Sequence, residues 1–342
     1  MKKAIIIVLP LLFTAQACNF LFGDITGQQG SGPRGVFVST DSGQTWQESS
    51  IVSGDKNLGN AQVSRIIIEK ANNQNLLVAT LNAGVFASDN QASKWFRLLP
   101  EVSAYDAFIN PHNSEEIFVA GAKAKTATIM ESPDRAGSWI QIYSEPVSQA
   151  AVTSLITDPR NPAVLFAGLS TGTILRSIDF GNTWNVLTDF SDRIAALALT
   201  PTGLTFYMLG RSEGLRRSND GGKNWAKIEL PEKPTFYNAF NIDANNSAVL
   251  YIATDKGLFR SQDNGASFSK LLLPLTPELN NVSAVAVNPK DSRQIFAAIR
   301  ATVYRSDDGG TTWRTSKLPT QRIVSDIAID PAEPNRIYVG LK

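Results

Sequence analysis

The sequence predicts an all-β protein, a single seven-bladed propeller of four-stranded blades. Three observations carry this expectation. An aromatic-ended octet recurs seven times, a β-branched phrase recurs in step with it, and each end of the chain holds half of one repeat.

The octet is "STDSGQTW" (39–46), followed by "SDNQASKW" (88–95), "SPDRAGSW" (132–139), "SIDFGNTW" (177–184), "SNDGGKNW" (218–225), "SQDNGASF" (261–268) and "SDDGGTTW" (306–313). Its final aromatics lie 41 to 49 residues apart. That position takes every tryptophan of the chain, Trp46, Trp95, Trp139, Trp184, Trp225 and Trp313, with Phe268 in the sixth copy.

The elements of one unit follow in order. Strand a ("SAVAVN") is a short β-branched run ended by an Asn/Asp-Pro turn. Strand b ("QIFAAI") and strand c ("TVYRS") flank a short loop; the octet turns the chain into strand d ("TWRTSKL"). Four strands in about 44 residues is the period of a propeller blade. The first octet has no phrase before it, and the last phrase, "IAIDPAEPNRIYVGL" (327–341), has no octet after it. Strands c and d from 34–50 are therefore expected to pair with strands a and b from 325–342, closing the ring and leaving it no open sheet edge.

Within the octet the aspartate (Asp41, Asp134, Asp179, Asp220, Asp263, Asp308) is expected to accept turn N–H groups that the strand ladder cannot reach. The glycine (Gly43, Gly181, Gly310) supplies a positive φ, and the aromatic wedges between neighbouring sheets. Two copies lose the glycine but keep the tryptophan, which makes the wedge the least dispensable part.

These octets resemble Asp-box repeats, the bacterial neuraminidase repeats, with three copies matching S-x-D-x-G-x-T-W in full. Families that share them include sialidases, xyloglucan-specific glycosidases, the sortilin ectodomain and the photosystem II assembly and stability factors. "DPRNPAVLFAG" with "ILRSIDFGNTW" is most similar to the sortilin and xyloglucanase style; a single ring behind an anchor resembles the photosystem assembly factors. The resemblance implies that the octets are structural and that ligands bind at the opposite end of the ring.

Composition narrows the chemistry. Of 342 residues, 43% are hydrophobic and 18% charged, with a formal charge of +1, so nothing electrostatic favours nucleic acid. One cysteine and one histidine exclude a Cys/His zinc site and a disulfide framework. His112 falls in a turn, "NPHNSEE", and "DDGG" lacks the closing glutamate of a calcium loop. No metal, cofactor or catalytic set is expected. The sialidase "RIP"-like signature is missing, "GPRGVF" (32–37) being the nearest stretch, and 342 residues hold one ring rather than the two that flank a xyloglucanase cleft.

Residues 1–17 read as a signal peptide: "MKK", an apolar stretch too short to span a bilayer, then "AQAC". Two cleavage readings stand. Ala15-x-Ala17 suits ordinary signal peptidase and gives a secreted or periplasmic protein. The same residues before Cys18 resemble a bacterial lipobox, although Ala15 replaces the usual leucine. The position of the lone cysteine favours lipidation, with residues 18–33 as a flexible tether and 34–342 as the propeller. The expectation is an exported monomer held to the outer face of a bacterial membrane by that anchor alone.

The candidate binding face lies opposite the octets. Aligned strands a place Arg65, Asp106 and Asp326 at one equivalent position on neighbouring blades, either as a charge cluster pinning ring closure or as a polar binding spot. Tyr105, Arg193, Tyr237, Arg300 and Arg322 are expected near them, an aromatic–arginine mixture suited to protein interfaces. The expected function is a non-catalytic scaffold that binds a protein or a glycan on this face; the alternative is a carbohydrate-binding or glycoside-hydrolysing propeller.

Overall fold

The computed structural model describes residues 32–52, 58–145, 149–274 and 280–342. The signal peptide, Cys18 and all but the end of the tether lie outside the described residues. The seven sheets are four-stranded and antiparallel, six of them running a-b-c-d in chain order. Blade 1, for example, is Val63–Ile68, Leu76–Thr80, Gly84–Ser88 and Phe96–Leu99.

Blade 7 is composite. Strands a (Val324–Ile329) and b (Ile337–Leu341) come from one end of the sequence, c (Gly35–Ser39) and d (Gln47–Glu48) from the other. The seam is a full antiparallel ladder, from Gly35 opposite Leu341 to Ser39 opposite Ile337. Strand a of each blade packs against strand a of the next, and Val324–Ile329 packs on Val63–Ile68, so the inner strands form a closed ring. Four strands b are buried along their length ("LLVAT", "FYMLG", "LYIAT", "IYVGL"), as expected for a sheet covered on both faces by neighbouring blades, and the longer ones of blades 2, 3 and 6 are buried except at one end.

The octet turns repeat the same bonds. In blade 7, Ser39 Oγ accepts the Gly43 amide at 2.7 Å and donates to Asp41 Oδ1, also at 2.7 Å. Asp41 Oδ1 accepts the Gln44 and Thr45 amides, and Thr45 Oγ1 donates to Oδ2 at 2.6 Å. Blade 1 keeps the scheme with an amide, Asn90 Oδ1 accepting the Lys94 amide at 2.9 Å. The backbone departs from expectation in one respect: two consecutive residues are left-handed, not one. The fourth position has φ of 61° at Ser42, 59° at Phe180 and 58° at Asn264, and the fifth holds φ of 67° and 72° even where it is Ala92 or Ala136.

Three of the octet tryptophans bond to strand d of the preceding blade or to the residue just after it, whereas Trp225 Nε1 donates to the Gly222 carbonyl of its own turn. Trp46 Nε1 donates to Ser316 Oγ at 2.9 Å, Trp95 Nε1 to the Ser49 carbonyl at 3.0 Å, and Trp184 Nε1 to the Ile142 carbonyl at 3.2 Å. Of the seven, Trp95 alone is fully buried; the other six are half-buried. The loss of about 3–5 kcal/mol typical of truncating a buried tryptophan therefore belongs to Trp95, and the others carry less.

Candidate functional site

The end of the ring opposite the octets is shaped by a repeated irregularity. In six of the seven inner strands the register with strand b slips at one residue: Ser64, Tyr105, Thr153, Ala195, Asn238 and Ser325. A bulge of this kind turns one side chain and one amide out of the ladder and re-aims both.

The freed groups tie each blade to the next. Side chains at the bulge donate to a carbonyl of the following blade: Ser64 Oγ to Ala104, Thr153 Oγ1 to Ile194, Asn238 Nδ2 to Val282 and Ser325 Oγ to Val63, at 2.6–2.7 Å. One residue further on, side chains accept an amide of the following blade. Asp326 Oδ2 takes Ile66 N at 2.7 Å, Asp106 Oδ2 takes Leu155 N at 3.0 Å, and Ser154 Oγ takes Leu197 N at 3.1 Å. Where the preceding blade offers Arg65 instead of an acceptor, Asp106 caps its own neighbour, Ala107 N, at 3.0 Å.

Arg65 lies between the two carboxylates, its Nε 3.8 Å from Asp106 and its Nη1 3.9 Å from Asp326. Burial pushes both aspartates above the usual carboxylate range, and Arg65 opposes that shift. Arg65 itself is raised, first by Asp326. The arginine side chain keeps 56% of its surface exposed against 15% and 16% for the acids, so the pair forms the wall and the guanidinium faces the bore. Three of the aligned candidates thus do meet, and they do so across the ring-closing interface.

Tyr105 is the bulge residue of blade 2, and its side chain turns to Arg193. Its ring lies 5.2 Å from the Arg193 guanidinium, which comes from the loop before blade 4. Asp192, next to Arg193, accepts the Ser212 and Glu213 amides and fixes the b–c turn of blade 4. In that turn Arg211 lies 5.1 Å from the ring of Phe236 and donates to Asn238 Oδ1 at 2.7 Å. Burial, and then the charge of Arg193, lowers Arg211; burial and then Arg211 lower Lys342. Arg322 donates to the Gly32 carbonyl at 3.3 Å and, after burial, contributes to lowering Arg34. Arg300 sits on the b–c turn of blade 6 at φ 52°, its carbonyl accepting Val324 N.

Tyr237 does not face the mouth. It is buried, packed among Leu215, Ile228 and Ile252, with its ring where a β-carbon on Gly214 would stand. The alternation of strand a turns it inward, and the exposed aromatic is its neighbour Phe236. Arg211 and Lys342 join the cationic mouth without having been singled out. Both lie at the ends of strands b, where one-dimensional alignment gives no sign of which way a long side chain leans.

Several known proteins are similar to this chain in sequence or fold. Residues 213–301 match the family described as Sortilin, neurotensin receptor 3 (Sortilin-Vps10). The xyloglucanase Xgh74A of Acetivibrio thermocellus is 28% identical over 205 residues, 52% of this chain; the chain spans only 21% of that relative. The crystal structure of the GH74 xyloglucanase from Xanthomonas campestris superposes with a TM-score of 0.68 at 18% identity, covering 86% of this chain and 52% of the enzyme. A structure of YCF48 bound to D1 peptide superposes at 0.62 and 14% identity, covering 82% of this chain and 92% of that one. The chain is a seven-bladed β-propeller related in fold to the sortilin-Vps10, GH74 xyloglucanase and YCF48 propellers.

Proposed function

We propose that this propeller is a non-catalytic, protein-binding scaffold whose ligand sits on the mouth opposite the octets. The observation that carries the reading is the pair of arginine–aromatic contacts there, Arg193 with Tyr105 and Arg211 with Phe236, backed by Lys342. Half-buried arginine against an aromatic ring is the composition of protein-interface hot spots, and clustered cations suit an acidic segment. The match to YCF48 bound to D1 peptide supports a peptide ligand for a ring of this size. Three of the nearby acids, Asp106, Asp192 and Asp326, accept backbone amides. A glycosidase needs one carboxyl free to give a proton and another free to attack or activate water.

The same reading places the protein outside the cytoplasm, tethered through a lipid on Cys18. The apolar stretch before that cysteine and its place as the only thiol support this.

Two measurements test the proposal. Binding of labelled acidic peptides, followed by anisotropy, should weaken roughly tenfold or more in Arg193→Ala and in Arg211→Ala. Turnover of xyloglucan oligosaccharides by the wild type, abolished in Asp326→Asn, would overturn the scaffold reading in favour of an enzyme. Separately, Cys18→Ala should move the protein from the membrane to the soluble fraction; unchanged membrane association would refute the anchor.

A further inference from the structure

A second candidate site lies at the other end of the ring, between blades 3 and 4. Its origin is a broken repeat. In strand c an arginine precedes the octet in four consecutive blades: Arg176, Arg217, Arg260 and Arg305. Each stands opposite an aromatic of strand b, namely Phe166, Tyr207, Tyr251 and Phe296. Three of the four reach across to the next blade and donate to the carbonyl of the fourth octet residue: Arg217 to Asn264 at 2.8 Å, Arg260 to Gly309 at 2.5 Å and Arg305 to Ser42 at 2.9 Å.

Arg176 does not. The equivalent carbonyl is that of Gly221, and among the described residues Arg176 makes no hydrogen bond to it. Its guanidinium lies instead 5.9 Å from the centre of the Phe166 ring, exposed to solvent. The gap it leaves is a cleft of about 280 Å³ whose accessible apolar wall is the half-buried Leu187 and Leu199, the rings of Phe166 and Phe206 behind it being buried. The two phenylalanine rings are 4.7 Å apart and tilted by 55°. A β-carbon on Gly221 would meet nothing within 4 Å, so the rim is open on that side.

The charges of the cleft are unevenly free. Arg160, Arg176 and Lys223 face two carboxylates, Asp158 and Asp220. Asp158 is held bidentately by Arg160, at 3.1 and 2.8 Å. Asp220 is held within its own octet by Ser218, the Lys223 and Asn224 amides and the Asn224 side chain. Arg176 and the Lys223 ammonium remain as donors, over an apolar floor. Balanced against two acids, three cations leave one positive charge.

We propose that this cleft binds a small monocarboxylate with an aromatic body. The ring would lie against Leu187 and Leu199 and the carboxylate would take the planar fork of Arg176, with Lys223 as a second cation. The volume is just below the range of drug-sized pockets, roughly 300 Å³ and above, and suits a single ring with one substituent.

Phenylacetate is the probe, titrated into the full propeller by calorimetry. Saturable millimolar binding is expected, weakened roughly tenfold or more in Arg176→Gln and for the neutral analogue phenylacetamide. Arg217→Gln, which removes the equivalent arginine at the next interface, should leave the affinity unchanged. Because Arg176 is exposed and bonds to no neighbouring blade, its variant should keep the wild-type melting temperature. No saturable binding to the wild type would overturn the proposal, and so would equal affinity of wild type and Arg176→Gln.

Discussion

Gly181 shows how a single position can be fixed twice over. Its φ of 87° is left-handed, and a β-carbon there would stand 2.5 Å from Cδ1 of Ile142 in the preceding blade. Gly181→Ala should therefore cost about 1–2 kcal/mol from the backbone alone, with the clash added to it. Adding Ile142→Val removes the offending methyl and should restore the steric part while leaving the backbone part. Urea denaturation of the two single variants and the double variant measures that coupling; strict additivity would show that the close approach carries no energy. Ala92 and Ala136 already tolerate the same backbone in their own copies.

At the scale of the strand, the bulges are what make a ring out of sheets. Asp326 carries the closing joint, since its carboxylate takes the Ile66 amide from the first complete blade. Asp326→Ala should strand that amide, at a cost of about 1–3 kcal/mol, and leave Arg65 with one carboxylate. Hydrogen exchange should accelerate at Ile66 well before it does in the strand b amides; uniform protection would contradict the joint. The blades, their order and the composite seventh sheet were legible from octet spacing, because a turn needing serine, aspartate and a left-handed residue leaves its mark in sequence. So was the meeting of Arg65, Asp106 and Asp326, through alignment of strand a. The blade-to-blade bonds of the bulge residues were not read, although their donors, Ser64, Thr153, Asn238 and Ser325, occupy one aligned column. A hydroxyl or amide in a strand is common, and nothing in the alternation announces a bulge. Tyr237 was misplaced because two adjacent aromatics, Phe236 and Tyr237, stand at the start of strand a, and the alternation that begins there buries the second and exposes the first.

For the whole molecule, acid should act in two opposite senses. The octet carboxylates Asp220, Asp263 and Asp308 are held at about 2, by the Asn224 amide, the Ser267 hydroxyl and the Thr312 hydroxyl in turn. Unfolded aspartate titrates near ~3.9. These groups therefore stabilise the fold fully above that value and lose their contribution as pH falls towards 2. Asp106 and Asp326 are raised by burial, so the folded protein takes up those protons before the unfolded chain does, and falling pH favours the fold through that earlier window. The urea midpoint should hold or rise slightly from neutral pH down to ~4 and then fall steeply. Asp308→Asn should make the fall shallower while keeping the turn, as Asn90 does in blade 1; an unchanged slope would remove the octets from the acid limb.

The seam of blade 7 also has a mechanical direction. Gly35 lies opposite Leu341, so the two ends of the propeller's chain leave the ladder side by side at the same rung. Tension between them would load that outermost rung first and then each in turn, peeling the strands rather than sliding them. Heat must break the whole ladder and the packing behind it at once, whereas a pull on the termini meets it one bond at a time. A ring so closed resists thermal opening far better than it resists being drawn apart by its ends.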